Sequence, residues 1–161
     1  MTAIPSINEL WKEEKCPLVD GVIFDDGTVL EFKITDSPSG RLIFDVKRKT
    51  DIKEILGQEL DNYTHLYHSR LNKIHGPHRY MAGEGSWGGD GYVACLDLKT
   101  NALLWVFTSD KINPIVGLDF INGKIIATNN CNAILNIEVN YSDQNAIVIV
   151  ESGTEKETNT K

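Results

Sequence analysis

The sequence predicts a mainly β (α+β) protein built from antiparallel meanders with one or two short helices. Three observations predict it. Between Tyr92 and Val139, short apolar segments follow one another across tight turns. Upstream, Leu30, Phe32 and Ile34, and then Leu42, Phe44 and Val46, alternate with polar residues, which is the period of a half-buried strand. Helical spacing is confined to two short stretches, each opened by a capping signature.

The elements follow in chain order. Ser6-Ile7-Asn8-Glu9 fits a capping box, and Ile7, Leu10 and Trp11 recur at helical spacing, so a short helix is expected to end near Cys16-Pro17. Trp11 reads as a packing residue. Val22-Ile23-Phe24, the turn Asp25-Asp26-Gly27 and Val29 to Ile34 form a hairpin, since Asp-Gly tolerates the positive φ of such a turn. Ser37-Pro38-Ser39-Gly40 is a loop, and the third strand holds Leu42, Phe44 and Val46. Lys47-Arg48-Lys49 reads as a solvated strand end. Asp51 with Glu54 caps a second helix, expected to run to about Asp61 on Ile52, Ile55, Leu56 and Leu60.

The second half is a succession of strands. Tyr92 to Leu96 turns at 97–101 into Ala102 to Phe107; Ile115 to Ile121 turns at Asn122-Gly123 into Lys124 to Ala127. Their continuous apolar runs predict central strands covered on both faces. Leu135, Ile137 and Val139 alternate with Asn136 and Glu138, so that strand has one wet face, and Ala146 to Val150 makes the last one. One domain over residues 1–150 and a frayed polar tail over 151–161 are expected, with 41% apolar residues to build the core.

The totals narrow the class. No stretch approaches the roughly 20 apolar residues of a membrane helix, and the first residues lack a signal-peptide pattern, so a soluble cytoplasmic protein is expected. Cys16, Cys95 and Cys131 are odd in number and widely spaced, without a Cys-x-x-Cys pair, which reads as buried thiols and not as a disulfide frame or zinc site. A net charge of −7 repels nucleic acid and favours basic partners.

Between Asp61 and Glu84 the charge pattern reverses. No acidic residue falls there, while all four histidines (His65, His68, His75, His78) do, with Arg70, Lys73 and Arg79 and interleaved Tyr63, Tyr67 and Tyr80. The paired imidazoles suit zinc, but a nearby Cys or carboxylate and a His-Glu-x-x-His pattern are lacking, so no metal or cofactor is expected. Two imidazoles beside Lys73 or Arg79 could also move protons on an RNA phosphodiester, and basic groups among aromatics suit single-stranded nucleic acid. The simplest reading is a polar connector or edge strand.

Gly83-Glu84-Gly85-Ser86-Trp87-Gly88 spells Gly-x-Gly-x-x-Gly, yet it leads straight into an apolar strand, with no helix N-terminus to meet a phosphate. A broad turn is expected instead. It carries a large aromatic, Trp87, between the carboxylates Glu84 and Asp90, and these three are the candidate partner-binding residues. No catalytic residue is assigned.

Asp97-Leu98-Lys99-Thr100-Asn101-Ala102-Leu103-Leu104-Trp105 resembles the repeat of quinoprotein-type β-propellers, with Cys95 where the repeat has Ala and Asn101 where it has Gly. The resemblance implies a blade-like antiparallel meander, with Asp97 and Thr100 holding the turn and Trp105 packed between sheets, and no quinone site. Residues 80 to 139, with Gly83 to Gly88, an Asp-x-x-x-Asn turn, a Trp-bearing strand and Asn113-Pro114, are similar to bacterial immunity proteins of contact-dependent inhibition and related polymorphic toxin systems. That resemblance implies a cytoplasmic, non-enzymatic protein that binds the C-terminal toxin domain of its own system. Two alternatives stand beside it: an RNA-binding or RNA-cleaving protein using residues 65–79, and a small-molecule or carbohydrate-binding β module using Trp87.

Overall fold

The computed structural model describes residues 4–58, 63–67, 71–86 and 90–152. In chain order these form α1 (Ile7–Lys12), β1 (Lys15–Pro17), β2 (Gly21–Phe24), β3 (Thr28–Asp36), β4 (Leu42–Asp51), α2 (Ile52–Gln58), β5 (Tyr63–His65), β6 (Leu71–His75) and β7 (His78–Glu84). There follow β8 (Gly91–Asp97), β9 (Leu103–Ser109), β10 (Ile115–Ile121), β11 (Lys124–Asn129), β12 (Ala133–Asn140) and β13 (Asn145–Ser152). No helix among the described residues is long and apolar enough to cross a membrane.

Eleven strands make one sheet in the order β10-β11-β12-β13-β4-β3-β2-β9-β8-β7-β6, and β1 pairs with β5 in a separate ribbon. Every pairing is antiparallel. The meanders are thus joined edge to edge, and the sheet curls until its two ends meet. Phe120 of β10 stacks on His75 of β6 at 4.6 Å and meets Tyr80 of β7 at 4.8 Å, which nearly closes a barrel without hydrogen-bonding its two edge strands.

The expected mainly antiparallel β class with two short helices is what forms, and the apolar patterning explains the layers. Val22, Phe24, Val93, Cys95, Trp105 and Phe107 point into the barrel, where Phe32, Phe44 and Phe107 meet with centroids 5.9–6.2 Å apart. Their neighbours Ile23, Tyr92, Ala94, Leu103 and Val106 point outward, under Ile7, Leu10 and Trp11 of α1. β2, β8 and β9 are therefore buried on both faces, which is why they read as continuous apolar runs. β10 and β11, expected to be covered on both faces, are not: Val116, Asp119, Ile121 and Lys124 are exposed, so β10 to β13 bury one face and keep the alternation of residues 133–139.

Local signals place the helices. Ser6 accepts from the Glu9 amide and Glu9 from the Ser6 amide, completing the capping box of α1. Asn8 then bonds both the N–H and the C=O of Leu103, standing in for a strand neighbour beside the β8–β9 bulge. Asp51 caps α2 through the Lys53 and Glu54 amides.

Three boundaries differ from expectation. α1 stops at Lys12, because Glu14 takes φ 60 and swings the chain into β1, where the fully buried Cys16 pairs with Thr64. β4 runs on through Lys47-Arg48-Lys49 to Asp51, with Arg48 bound to Glu31 and Glu54 beside it. β13 continues to Ser152, where Ser152 pairs with Ala133 and Glu151 meets Arg41 at 2.9 Å; residues 153–161 lie outside the described residues.

Candidate functional site

The segment holding the candidate partner-binding residues joins β7 to β8 at the end of the barrel where Glu84 and Gly91 pair. Its base is clasped by buried polar groups. Asp90 is 1% exposed, and its Oδ2 accepts the Thr64 hydroxyl at 2.9 Å. With that proton committed, the Thr64 oxygen accepts from the Ser86 amide and hydroxyl, both at 3.1 Å, and Ser86 Oγ accepts from the His65 amide at 3.2 Å. Gly85 is required between them: a Cβ there would lie 2.8 Å from Asp90 Oδ2 and 2.9 Å from Thr64 Oγ1.

The clasp ties four elements together. The Tyr67 amide donates to the Glu84 carbonyl at 3.0 Å, the Leu66 amide to the Glu14 carbonyl at 2.9 Å, and the Tyr92 hydroxyl to the Tyr67 carbonyl at 2.8 Å. Tyr92 in turn packs edge-on against Trp11 of α1. Burial and the nearby Asp90 charge push the Cys16 thiol up, so it stays protonated beneath this network.

The three candidate residues have different fates. Glu84 is exposed at the end of β7. Asp90 is not a surface contact: a carboxylate beside the first residue of an apolar strand turns inward to the Thr64 hydroxyl, and its role is to hold the turn. Trp87 lies outside the described residues. Beside Glu84, Tyr67 stands 49% exposed and Ser86 is exposed, neither of which the sequence reading singled out. The signal that could have located the clasp is Gly89-Asp90-Gly91 before an apolar strand, where a carboxylate needs donors close by.

The described histidines do not share one place. His65 lies on β5 against Ser86, whereas His75 and His78 face each other across the β6–β7 turn at the other end of β7. The six residues of rise from His78 to Glu84 correspond to about 20 Å. His68 lies outside the described residues. No group of three or more His, Cys, Asp or Glu among the described residues is placed to hold a metal ion.

Compared with known proteins, the chain matches no family model, no curated protein and no solved structure. The site is therefore read from its own residues. Gly83 lies within β7, which ends at Glu84, and the next element is β8, so the Gly-x-Gly-x-x-Gly spelling opens no helix among the described residues. At 97–102, Asp97 Oδ1 accepts from the amides of Lys99 at 2.8 Å and Thr100 at 3.1 Å, and Thr100 Oγ1 from Ala102 at 3.2 Å. The Thr100 and Lys99 amides hold the Asp97 carboxyl below its usual range. Asp97 and Thr100 thus shape the turn, and Trp105, 4% exposed, lies inside the barrel.

Proposed function

We propose that this chain is an immunity protein that binds the C-terminal toxin domain of its own system in the cytoplasm and blocks it, acting as a binding protein and not as an enzyme. The observation that carries the reading is the clasped β7–β8 connection. Its anchors, Thr64, Ser86 and Asp90, are fixed by hydrogen bonds, while Glu84 and Tyr67 are left facing solvent beside it. A surface ordered before its partner arrives loses less entropy on binding, so more of the contact energy appears as affinity.

Charge supports the same reading. A chain of net charge −7 steers toward a basic protein, and nucleases carry basic surfaces to bind their phosphodiester substrates. The resemblance of residues 80 to 139 to immunity proteins adds the biological setting.

The test is co-expression with the toxin domain encoded beside it. Growth should be restored, and the two purified chains should form a 1:1 complex whose association slows as salt rises. The double variant Tyr67→Ala, Glu84→Lys should bind at least about tenfold more weakly, the loss expected for central contacts. Unrelieved toxicity with every neighbouring toxin domain would refute the proposal.

A further inference from the structure

The eleven-stranded sheet has two free edges, β10 and β6, and they are finished differently. On β10 a bulge between Ile115 and Gly117 follows Pro114, and the Asp119 carboxylate accepts the Phe120 amide at 2.8 Å. A proline, a bulge and a charged side chain on an edge are devices that stop another strand from pairing there. On β6 the only such device is Lys73.

The backbone of β6 is available along its outer side. Gly76 takes φ 63 ahead of Pro77, so the β6–β7 connection is a two-residue hairpin turn, which closes on a hydrogen-bonded pair. Counting back from His75 and His78, Lys73 bonds Tyr80 and Leu71 bonds Ala82, which leaves the amides and carbonyls of Asn72 and Ile74 facing away from β7. Among the described residues no strand pairs with them. β10 meets β6 through the stacked rings of Phe120 and His75, and Asn72, Lys73, Ile74 and His75 are all exposed. At 59%, Ile74 is the most exposed large apolar side chain among the described residues.

The surroundings of this edge are cationic. Between Asp61 and Glu84 an otherwise acidic chain has no carboxylate. Lys73 lies on one face of β6. On the other face Arg79 donates to Asn72 Oδ1 at 2.8 Å, and Lys12 of α1 lines the same shallow groove. Asp97 of β8 and Asp119 of β10 are already committed to backbone amides.

We propose that the free edge of β6 is a binding site for an extended acidic segment of another protein, which adds a strand beside Asn72 and Ile74. Strand addition draws affinity from backbone hydrogen bonds and selectivity from alternate side chains. Here the alternation asks for an apolar side chain beside Ile74 and a carboxylate beside Lys73. A second copy of this chain fits less well, because antiparallel pairing of Asn72 with Ile74 would set Lys73 against Lys73. Roughly 17 Å of strand separates Arg79, which pairs with Ile74, from Glu84, so the site goes beyond the partner surface proposed above.

The test follows the fluorescence anisotropy of a labelled seven-residue peptide of alternating valine and glutamate, titrated with the purified chain. Saturable 1:1 binding is expected, at least about tenfold tighter than for the valine and lysine counterpart. Hydrogen exchange at the Asn72 and Ile74 amides should slow on binding. Ile74→Pro removes an amide that faces away from β7, so the β6–β7 ladder is kept while peptide affinity falls at least about tenfold. Should that variant fail to fold, Lys73→Glu provides a second reading by reversing the preference between the two peptides. Neither substitution touches Tyr67 or Glu84, so toxin neutralisation should persist in both. Non-saturable binding, equal affinity for the two peptides, or unchanged exchange at Asn72 and Ile74 would overturn the assignment. Tighter binding of a single-stranded oligouridylate would give the edge to nucleic acid, and dimer formation that protects the same amides without peptide would give it to a second copy; either result equally overturns it.

Discussion

The two ends of the barrel solve the same problem in opposite ways. At the β7–β8 end the described flanks of the connection, Ser86 and Asp90, are tied to β5 by a carboxylate, two hydroxyls and the amides of His65 and Ser86. At the other end β4 and β13 pair over three residues only, and exposed side chains bridge the turns instead, Tyr141 to Asp25 at 2.7 Å and Gln144 to Asp26 at 3.0 Å. The difference teaches that buried polar groups, once satisfied, fix the flanks of a connection, while exposed side-chain bonds hold turns together where the strands beneath them are left unpaired. Both ends rest on the same aromatic centre.

That centre offers the largest disruption. Phe107→Ala removes the ring that Phe32 and Phe44 share and should cost about 3–5 kcal/mol, seen as a lower urea midpoint, with both ends loosened together. A variant that keeps one end and loses the other would show that the ends are less coupled than the shared core implies.

Breaking the closed end alone is expected to cost less. Asp90→Ala leaves the Thr64 hydroxyl without its acceptor and should lower stability by about 2–3 kcal/mol. Hydrogen exchange should then accelerate at the Ser86 and His65 amides, with the 98–102 turn unaffected. Uniform acceleration would mean that the clasp supports the whole fold.

The opposite end can be addressed by pH. The Asp26 and Asp97 carboxyls both lie in its turns and are held below their ordinary 3.8, Asp26 chiefly by the Thr28 amide and Asp97 by the Thr100 and Lys99 amides. Because their folded pKa values are depressed, their stabilisation is fully present above the unfolded value and is lost as pH falls through the folded one. Asp97→Asn should therefore flatten the acid limb of a stability profile below about pH 4 and leave the profile above pH 5 parallel to the parent. A steeper acid limb would contradict the hydrogen-bond assignment.

The smallest change in stability is expected on the surface itself. Glu84→Lys should shift unfolding by no more than about 0.5 kcal/mol, since the side chain is exposed and only its carbonyl is used by the clasp. A loss above about 2 kcal/mol would place Glu84 among the structural groups instead of the recognition surface.

Much of this architecture was legible in the residues themselves. Asp26-Gly27 and Asn122-Gly123 mark hairpins, Ser6 to Glu9 and Asp51 to Glu54 mark helix starts, and the unbroken apolar runs at 92–96 and 103–107 identify strands with no wet face. These are local signals, because turn angles, caps and face alternation depend on residues a few positions apart. The candidate site was only partly legible: Glu84 was found as a surface residue, while Asp90 was misplaced and Thr64, Ser86 and Tyr67 were not among the candidates. Their meaning arises from contacts across more than twenty positions of sequence. The tertiary structure alone decided that β9 lies beside β2, that β13 meets β4 for three pairs and then leaves it, and that Asp90 turns inward. The physical reason is that a period of two tells a strand which face to bury, and carries no information about which distant strand will be its neighbour or where their pairing will end.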